Sequence, residues 1–464
     1  MRSINGLIIS GLRGGSGKTI LSLSIISYLH YKKGMKVIPF KKGPDYIDGG
    51  WLSVAAGNPC YNLDSYLIPE ERLVHSFIYH SKGDISIIEG NRGLYDGMDL
   101  EGTHSTARLS RLLNLPVILI IDCTKITRTA AALVLGAMNL ERDVRIKGVV
   151  LNQVSSKRHE SIIRQSIERY CSIPVLGAIP RLSGDELPER HMGLLPHQEH
   201  AEKKKVIEMV LKIAEQYLHM EEILSIAKEE TLNDDKRSLS PVVEPAGHAE
   251  GIKIGVVKDP AFQFYYEENL EALRDYGAEI VEINALEDKG LPEIDALYIG
   301  GGFPETNAIQ LSMNKEFISS LKDFIEDGLP VYAECGGMMY LGKEIVYKDR
   351  SYPMAGVIPL SFIMNDRPES HGYTLLEVTG QNPFYPSGLI LRGHEFHYSR
   401  PVAHGELNLS FTMKRGDGII NKMDGICYKN ILATYTHVHV YGTPEWAAGL
   451  IKRAIEYKRR KKHD

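Results

Sequence analysis

The sequence predicts an α/β protein with two doubly wound domains, each built on a parallel sheet. Short, continuously apolar runs alternate with amphipathic stretches along both halves of the chain. Apolar runs separated by helices are typical of parallel strands that are covered on both faces. The length of 464 residues agrees with two domains, because a single core rarely grows beyond about 250–300 residues.

The first half of the chain carries a regular series of elements. Apolar residues at helical spacing predict a helix over 19–31 and a long amphipathic helix over 200–228. The buried strands are expected at residues 6–10, 36–40, 84–88, 116–122, 146–151 and 174–179.

A change of composition marks the boundary between the halves. Residues 229–250 are polar, contain prolines and lack apolar periodicity, so we predict a linker between a domain at 1–228 and a domain at 251–464. Beyond the linker the alternation restarts, with strands expected at 252–257, 296–299 and 330–333 and helices at 267–276 and 314–327.

Composition and charge exclude several classes of protein. The 54 basic and 59 acidic residues leave a net charge of −5, which is not the basic footprint of a nucleic-acid-binding protein. No apolar run reaches the about 18 residues of a membrane span, and the start lacks the layout of a signal peptide. Five scattered cysteines, without a C-x-x-C pair, argue against a disulfide or zinc framework. We therefore expect a cytoplasmic protein with neither nucleic acid nor membrane as partner.

The first domain contains a phosphate-binding loop. Residues 11–19 read Gly-Leu-Arg-Gly-Gly-Ser-Gly-Lys-Thr between a predicted strand and a predicted helix, the setting that such a loop requires. Its glycines let backbone N–H groups point at phosphate oxygens, and its lysine supplies a positive charge. The nucleotide-binding candidates are Gly14, Gly15, Ser16, Gly17, Lys18 and Thr19, with Asn152 after a later strand to read a purine edge.

Carboxylates follow two strands of the same domain. Asp45 and Asp48 come after the second strand, and Glu89 ends the third. The carboxyl ends of parallel strands line the ligand crevice, so we expect these side chains to converge with the Thr19 hydroxyl. Carboxylates beside a phosphate loop predict a Mg²⁺ site formed by Thr19, Asp45, Asp48 and Glu89.

The second domain contains a candidate nucleophile, Cys335. It lies in a Glu-Cys-Gly turn between a predicted strand and a helix start, an elbow layout that exposes a nucleophile, and the helix start is expected to lower the pKa of the thiol. His437, at a distant strand end, is the candidate base, while Gly301 and Gly302 are candidates for oxyanion N–H donors. The other cysteines, expected to be small buried hydrophobes, are Cys60, Cys123, Cys171 and Cys427.

Together these motifs resemble the cobyrinate a,c-diamide synthase family. The similarity rests on the phosphate loop and on five further segments, in the family's order along nearly the whole chain. These are Lys-Gly-Pro-Asp-Tyr-Ile-Asp ending at 48, Glu-Gly-x-x-Gly-Leu-Tyr-Asp-Gly ending at 97, Ala-Glu-Cys-Gly-Gly ending at 337, Arg-Gly-His-Glu-Phe-His-Tyr-Ser ending at 399 and Thr-His-x-His ending at 439.

The resemblance implies a dethiobiotin-synthetase-like ATPase domain joined to a class I glutamine amidotransferase domain. The family's amidotransferase lacks the usual glutamate two residues after the histidine, and here that position is His439, which implies a Cys335–His437 dyad. ATP with Mg²⁺ would phosphorylate a substrate carboxylate, and ammonia released from L-glutamine would displace the phosphate. The implied substrate is a polycarboxylate tetrapyrrole, which needs cationic and hydrogen-bonding partners. The candidates for that role are Arg128, Arg367, His371, Arg392, His394 and His397.

Several alternatives stay open on the sequence. Asn91 and Arg92 stand where the cobyrinate enzymes are expected to have two small apolar residues, so the same chemistry on nickel-sirohydrochlorin or on siroheme is a second hypothesis. A third is a P-loop ATPase switch with an inert amidotransferase-like binding domain, against which the intact Cys335 and His437 argue. The sequence leaves the oligomeric state open, a homodimer included.

Overall fold

The chain divides into two compact units, Met1–Val242 and Val243–Asp464. The computed structural model describes residues 3–182, 189–190, 193–194, 203–228, 232–233 and 249–462. The predicted linker at 229–250 lies mostly outside these ranges and stays a prediction. Two of its residues, Leu232 and Asn233, form a short strand that pairs with residues near the start of the chain.

The first unit is built on a seven-stranded sheet in which every strand pairs in parallel, as predicted. The order is β4-β3-β5-β2-β6-β7-β8, and two-stranded pairs β1–β11 and β9–β10 lie outside it. The strands are β1 (Ser3–Ile4), β2 (Gly6–Gly11), β3 (Val37–Lys42), β4 (Tyr61–Leu63), β5 (Ile85–Glu89), β6 (Val117–Asp122), β7 (Ile146–Val154), β8 (Val175–Pro180), β9 (Glu189–Arg190), β10 (Gly193–Leu194) and β11 (Leu232–Asn233).

The central strands of this sheet are fully buried, as their continuous apolar sequences require. The α4 and α6 helices begin at serine caps whose side chains accept hydrogen bonds from backbone N–H groups in the first turn. The helices are α1 (Lys18–Ser27), continued by a π-helical turn (Tyr28–Lys32), α2 (Ile47–Ala56), α3 (Glu70–His80), α4 (Thr106–Leu113), α5 (Thr129–Leu140), α6 (Lys157–Cys171), α7 (Lys203–Tyr217) and α8 (Met220–Lys228).

The prediction of one long helix over 200–228 is wrong. The chain leaves the helix at Leu218, which bridges to Gly177, and the His219 N–H donates to the Leu176 carbonyl at 2.8 Å. These contacts with the end of the sheet replace helical hydrogen bonds, and the helix restarts as α8. Residues 200–202 lie outside the described ranges.

The second unit contains a ten-stranded mixed sheet in the order β14-β12-β15-β17-β26-β25-β24-β21-β22-β27. The first five strands in this order pair in parallel, and three of them, β12, β15 and β17, were predicted; the rest pair antiparallel. The strands are β12 (Lys253–Val257), β13 (Phe262–Phe264), β14 (Glu279–Ile283), β15 (Ala296–Ile299), β16 (Gly301–Gly302), β17 (Val331–Glu334), β18 (Glu344–Tyr347), β19 (Arg350–Pro353), β20 (Leu360–Met364), β21 (Ser370–Val378), β22 (Ile390–His397), β23 (Ser399–Ala403), β24 (Leu409–Arg415), β25 (Met423–Tyr428), β26 (Ile431–Thr434) and β27 (His437–Val438).

A four-stranded sheet, β19-β18-β20-β23, and the pair β13–β16 complete the strands of this unit. The hydrophobic core of this unit includes buried residues of the β15 and β17 strands and of the helices α11 (Lys315–Glu326) and α12 (Gly336–Leu341). The helices are α9 (Glu267–Asp275), a 3-10 turn (Pro304–Asn307), α10 (Ala308–Met313), α11 (Lys315–Glu326), α12 (Gly336–Leu341) and α13 (Glu445–Lys461). Within the part of the chain that the structure describes, no helix has both the length and the apolar character to cross a membrane.

Candidate active sites

The phosphate-binding loop joins β2 to α1, as predicted. Gly17 precedes the helix with φ of 96°, and a Cβ there would lie 2.3 Å from the amide nitrogen of Asn152, so the position requires glycine. The Lys18 ammonium donates to the carbonyl of Arg13 at 3.1 Å and to that of Arg92 at 2.7 Å. The lysine therefore connects the loop to the segment that follows β5.

Asn152 lies beside this loop, and its side-chain amide contacts the backbone of the loop. Its Nδ2 donates to the Ser16 carbonyl at 2.9 Å, and its Oδ1 accepts from the Gln153 N–H at 3.0 Å. The side chain thus supports the backbone of the phosphate loop. Its reading of a purine edge stays a prediction.

The three predicted carboxylates converge on a lysine that the sequence analysis missed, Lys41. Its side chain is 2% exposed, and its ammonium lies 2.7 Å from carboxylate oxygens of both Asp48 and Glu89 and 3.8 Å from one of Asp45. Lys41 and Glu89 face each other because β3 and β5 pair in parallel at exactly these residues. A sequence signal existed, since a lysine ends the apolar run of β3 in the segment that carries Asp45 and Asp48.

Charge and burial shift the pKa values in this cluster in opposite directions. Burial raises the pKa of Glu89, and burial next to Asp48 raises the pKa of Asp45 to about 7. Burial also opposes ionisation of Asp48, but the Lys41 ammonium holds its pKa below the ordinary value. Burial likewise opposes the charge of Lys41, whose pKa is nevertheless raised by the three carboxylates. The cluster is therefore a preformed arrangement of opposite charges.

Thr19 meets this cluster at Glu89. The Thr19 hydroxyl donates to Glu89 Oε1 at 2.9 Å, while Glu89 Oε2 is buried and has no hydrogen-bond partner in the described ranges. No group of three or more His, Cys, Asp or Glu side chains is arranged to hold a metal in those ranges. A Mg²⁺ ion that takes most of its ligands from phosphates and water would fit Thr19 and Glu89. Lys41 contacts both Asp48 and Glu89, and the metal-binding roles of Thr19, Asp45, Asp48 and Glu89 stay predictions.

Cys335 lies at the elbow that the sequence predicts, between β17 and α12. Its backbone adopts φ 45° and ψ −99°, a strained conformation for a non-glycine residue. The Cys335 N–H donates to the Thr434 carbonyl at 2.8 Å, which ties the elbow to the strand that leads to His437. Strain at this point is typical of a nucleophile on a sharp strand-to-helix turn.

Glu334, the residue before Cys335, is a second functional residue that the sequence analysis missed. Its Oε2 lies 3.1 Å from Nδ1 of His437 and accepts the Tyr298 hydroxyl at 2.9 Å. Its Oε1 accepts the Val438 N–H at 3.3 Å, and both Glu334 and His437 are buried. A carboxylate only accepts hydrogen bonds, so Nδ1 of His437 is the donor in this contact.

Two residues after His437, where other class I amidotransferases have a glutamate, this chain has His439. His439 instead approaches Glu268, with 3.6 Å between Nε2 and Oε1. The carboxylate that contacts His437 is Glu334, at the end of the β17 strand that leads into the elbow. The implied Cys335–His437 dyad stays a prediction, to which the structure adds this contact.

The Gly301–Gly302 strand lies next to His437 and to the turn that carries Cys335. A Cβ on Gly301 would lie 2.6 Å from Cε1 and 3.1 Å from Nε2 of His437, so the imidazole rests directly on that glycine. A Cβ on Gly336 would lie 3.1 Å from the Gly302 nitrogen. The backbone N–H groups of this region are close to the elbow, as an oxyanion site requires, and their role stays a prediction.

The pKa of the Cys335 thiol differs from the sequence prediction. Burial raises it, and the nearby charges of Glu305 and Glu334 act in the same direction. These effects outweigh the short α12 helix, whose start was expected to lower the pKa. All five cysteines are free thiols. At neutral pH the Cys335 sulfur is therefore a thiol that would need a base in order to react, and the role of His437 as that base stays a prediction.

The predicted substrate residues fall into two groups. His394 and His397 are each 6% exposed, and burial lowers the pKa of both, so neither supplies a positive charge to a substrate at neutral pH. The His394 ring instead stacks on His437 at 5.0 Å, and the His397 ring stacks on Tyr435. The exposed members are Arg367, His371, Arg392 and Arg128, of which Arg128 packs over the Tyr170 ring at 4.9 Å and His371 on the Phe396 ring at 4.3 Å. For all six residues the substrate role stays a prediction.

Comparison with known proteins agrees with both domains. Residues 7–195 match the CobQ/CobB/MinD/ParA nucleotide binding domain, and residues 253–444 match the CobB/CobQ-like glutamine amidotransferase domain. The chain is 40% identical over 451 residues to the cobyrinate a,c-diamide synthase of Magnetococcus marinus, covering 96% of each chain. It is 37% identical to that of Archaeoglobus fulgidus, covering 97% of this chain and 98% of the relative, and 37% identical to that of Caldanaerobacter subterraneus, covering 98% and 99%. The chain therefore belongs to the cobyrinate a,c-diamide synthase family, with a nucleotide-binding domain followed by a glutamine amidotransferase domain.

Proposed function

We propose that the protein amidates the a and c acetate side chains of cobyrinate, using ATP and L-glutamine. The observation that carries this proposal is that one chain holds both a phosphate loop beside buried carboxylates and a Cys335 elbow with an oriented histidine. Relatives along the full length are named cobyrinate a,c-diamide synthases, which supports the substrate.

The second unit supplies ammonia. The Cys335 sulfur attacks the side-chain amide carbon of glutamine as His437 Nε2 takes the thiol proton, and the oxyanion forms near the Gly301–Gly302 strand. Collapse of the tetrahedral intermediate breaks the C–N bond, and the imidazolium returns the proton to the departing ammonia. Water then hydrolyses the thioester to glutamate. Glu334 keeps Nδ1 protonated and stabilises the positive charge that His437 acquires.

The first unit makes the carboxylate reactive. A substrate carboxylate attacks the γ-phosphorus of ATP, which gives an acyl phosphate and ADP. Ammonia then attacks the acyl carbon, and phosphate leaves with formation of the amide. Lys18 and the loop N–H groups hold the phosphates, and Thr19 and Glu89 would hold a Mg²⁺ ion that would neutralise phosphate charge. Lys41 keeps Asp48 and Glu89 in place around that point.

The test separates the two reactions. Purified protein is given ATP with cobyrinate, sirohydrochlorin, nickel-sirohydrochlorin or siroheme, and with either glutamine or ammonium chloride, and the amides are identified by mass spectrometry. We expect amidation of cobyrinate with both nitrogen sources, and Cys335→Ser to lose only the glutamine-dependent reaction. Loss of both reactions in a folded Cys335→Ser protein contradicts the two-site mechanism, and amidation of another ring alone contradicts the choice of substrate.

A further inference from the structure

Asp424, on β25, is a fully buried carboxylate that the two proposed reactions do not use. Its Oδ2 accepts the Thr434 hydroxyl at 2.7 Å and the Thr436 N–H at 3.2 Å. Its Oδ1 accepts the N–H groups of Gly425 at 2.8 Å and Tyr435 at 3.2 Å. A carboxylate is costly to bury unless such donors surround it. Three of these four donors belong to consecutive residues, so the carboxylate holds a short segment of the chain in one conformation.

The segment that Asp424 holds connects the base of the second site to its nucleophile. Thr434 ends β26 and pairs in register with Glu334 on β17, and its carbonyl accepts the Cys335 N–H at 2.8 Å. His437 begins β27, three residues later along the chain. One side chain therefore fixes the few residues that set the place of the imidazole relative to the elbow.

The backbone after His437 is held separately, by Asn269 of α9. The Asn269 side chain is fully buried, its Nδ2 donates to the Val438 carbonyl at 3.0 Å, and its Oδ1 accepts the Val440 N–H at 2.8 Å. Removing the Asp424 carboxylate would leave these contacts in place. It would release the chain only on the side of His437 that leads back to the elbow.

The charge state of Asp424 suits this role. Burial raises its pKa to about 6, although the hydrogen bonds from Thr434 and the backbone oppose the rise. The carboxylate is therefore ionised at neutral pH and acts only as an acceptor, as its four donors require. An amide of the same shape would turn N–H groups toward some of those donors and break the contacts there. Asp424→Asn thus disturbs the segment without creating a cavity.

We propose that Asp424 is a positioning residue for the proposed glutaminase reaction. By holding residues 434–436, it keeps His437 at the distance from Cys335 that proton transfer requires. A misplacement of about 1 Å can lower the rate of such a step roughly 10²-fold. Asp424 acts through the backbone that it holds, so its role is positioning rather than catalysis. The inference rests on the proposed function, because it assumes that Cys335 and His437 release ammonia from glutamine.

The first part of the test compares Asp424→Asn with the wild type, both as full chains. We expect kcat for glutamate release from glutamine to fall roughly tenfold to a hundredfold, while KM for glutamine changes less than about threefold. Amidation with ammonium chloride needs only the first unit and should be unchanged. A rise in KM without a fall in kcat overturns the proposal, and so does an equal loss of the ammonia-dependent reaction.

Asp295→Asn is the matched control for the loss of a buried carboxylate. Asp295 accepts the Lys253 N–H at 2.8 Å and lies 3.2 Å from the Lys458 ammonium, directly before β15 and at the opposite end of that strand from Gly301. We expect Asp295→Asn to lower the melting temperature and to keep the wild-type kcat. Equal losses of kcat in Asp295→Asn and Asp424→Asn would reveal a general effect of stability and overturn the proposal.

Thr434→Val keeps the proposal testable if Asp424→Asn does not fold. It removes the hydroxyl donor to Asp424 and keeps the three backbone donors. We expect a smaller fall in kcat for glutamate release, roughly twofold to fivefold, with KM for glutamine unchanged. A wild-type kcat in Thr434→Val, measured where Asp424→Asn is not folded, overturns the proposal.

The last part asks whether the effect passes through His437. If it does, Asp424→Asn should cause no further loss of glutamate release in a His437→Ala protein, whereas independent roles would give losses that multiply and would overturn the proposal. A wild type that releases no glutamate from glutamine contradicts the proposed function, and this inference with it. An active wild type together with a wild-type kcat in folded Asp424→Asn contradicts this inference alone.

Discussion

The two candidate active sites differ in the number of charged groups that they bury and in how those groups are paired. In the first unit, Lys41 and three carboxylates form a dense cluster of charges at the ends of parallel strands. In the second unit, Cys335 and His437 are buried around a single carboxylate, Glu334, and burial keeps the thiol protonated. In the proposed mechanism the first site holds and neutralises phosphate charge, and the second moves a proton. The two proposed reactions thus call for different arrangements of charge.

The largest expected effect tests the second site. Glu334→Gln replaces the carboxylate by an amide of the same shape, which cannot stabilise a positive charge on His437 or define its tautomer. We expect the glutaminase rate to fall roughly 10²-fold to 10⁴-fold, with ammonia-dependent amidation preserved.

Tyr298→Phe is the matched control for Glu334→Gln. It removes one hydrogen bond to the same carboxylate and leaves the contact with His437 in place. We expect a much smaller loss of glutaminase activity, measured as glutamate released. Equal rates for Glu334→Gln and the wild type would show that the second site works as a dyad.

The next effect tests the first site. Lys41→Met leaves Asp48 and Glu89 buried without their shared cation, and breaking such a pair costs about 3–5 kcal/mol of stability. We expect a lower melting temperature and loss of ATP cleavage, measured by calorimetry and ADP release.

Lys82→Met is the matched control, because Lys82 is an exposed lysine of the same unit and its replacement should leave stability nearly unchanged. Equal melting temperatures for Lys41→Met and the wild type would mean that the charge cluster does not stabilise the first unit.

The smallest effect concerns pH. Because burial raises the pKa of Cys335, little thiolate exists at neutral pH, and its alkylation by iodoacetamide should accelerate with pH well beyond the ordinary cysteine pKa of about 8.5. The rate is followed by mass spectrometry of the Cys335 peptide, with Cys335→Ser as the blank for the other cysteines. A plateau below pH 8 would indicate an activated thiolate and would remove the contrast between the two sites.

Much of the fold followed from local pattern. The parallel strands of the first unit are continuous apolar runs, and those from β2 to β8 that were predicted all exist within a few residues of their expected bounds. The antiparallel strands from β18 to β25 were not predicted. Their residues alternate in burial, as in β21, and such half-buried strands carry a weaker sequence signal than buried ones.

The sequence by itself determined the chemistry of the two sites: the phosphate loop, the Cys335 elbow and the carboxylates at strand ends, because each depends on residue types at short, fixed spacing. Only the tertiary structure decided how these groups are partnered. Lys41 meets Glu89 through the register of β3 with β5, and Glu334 reaches His437 across more than a hundred residues. Partnership across strands is fixed by packing and hydrogen-bond register, which no local spacing records.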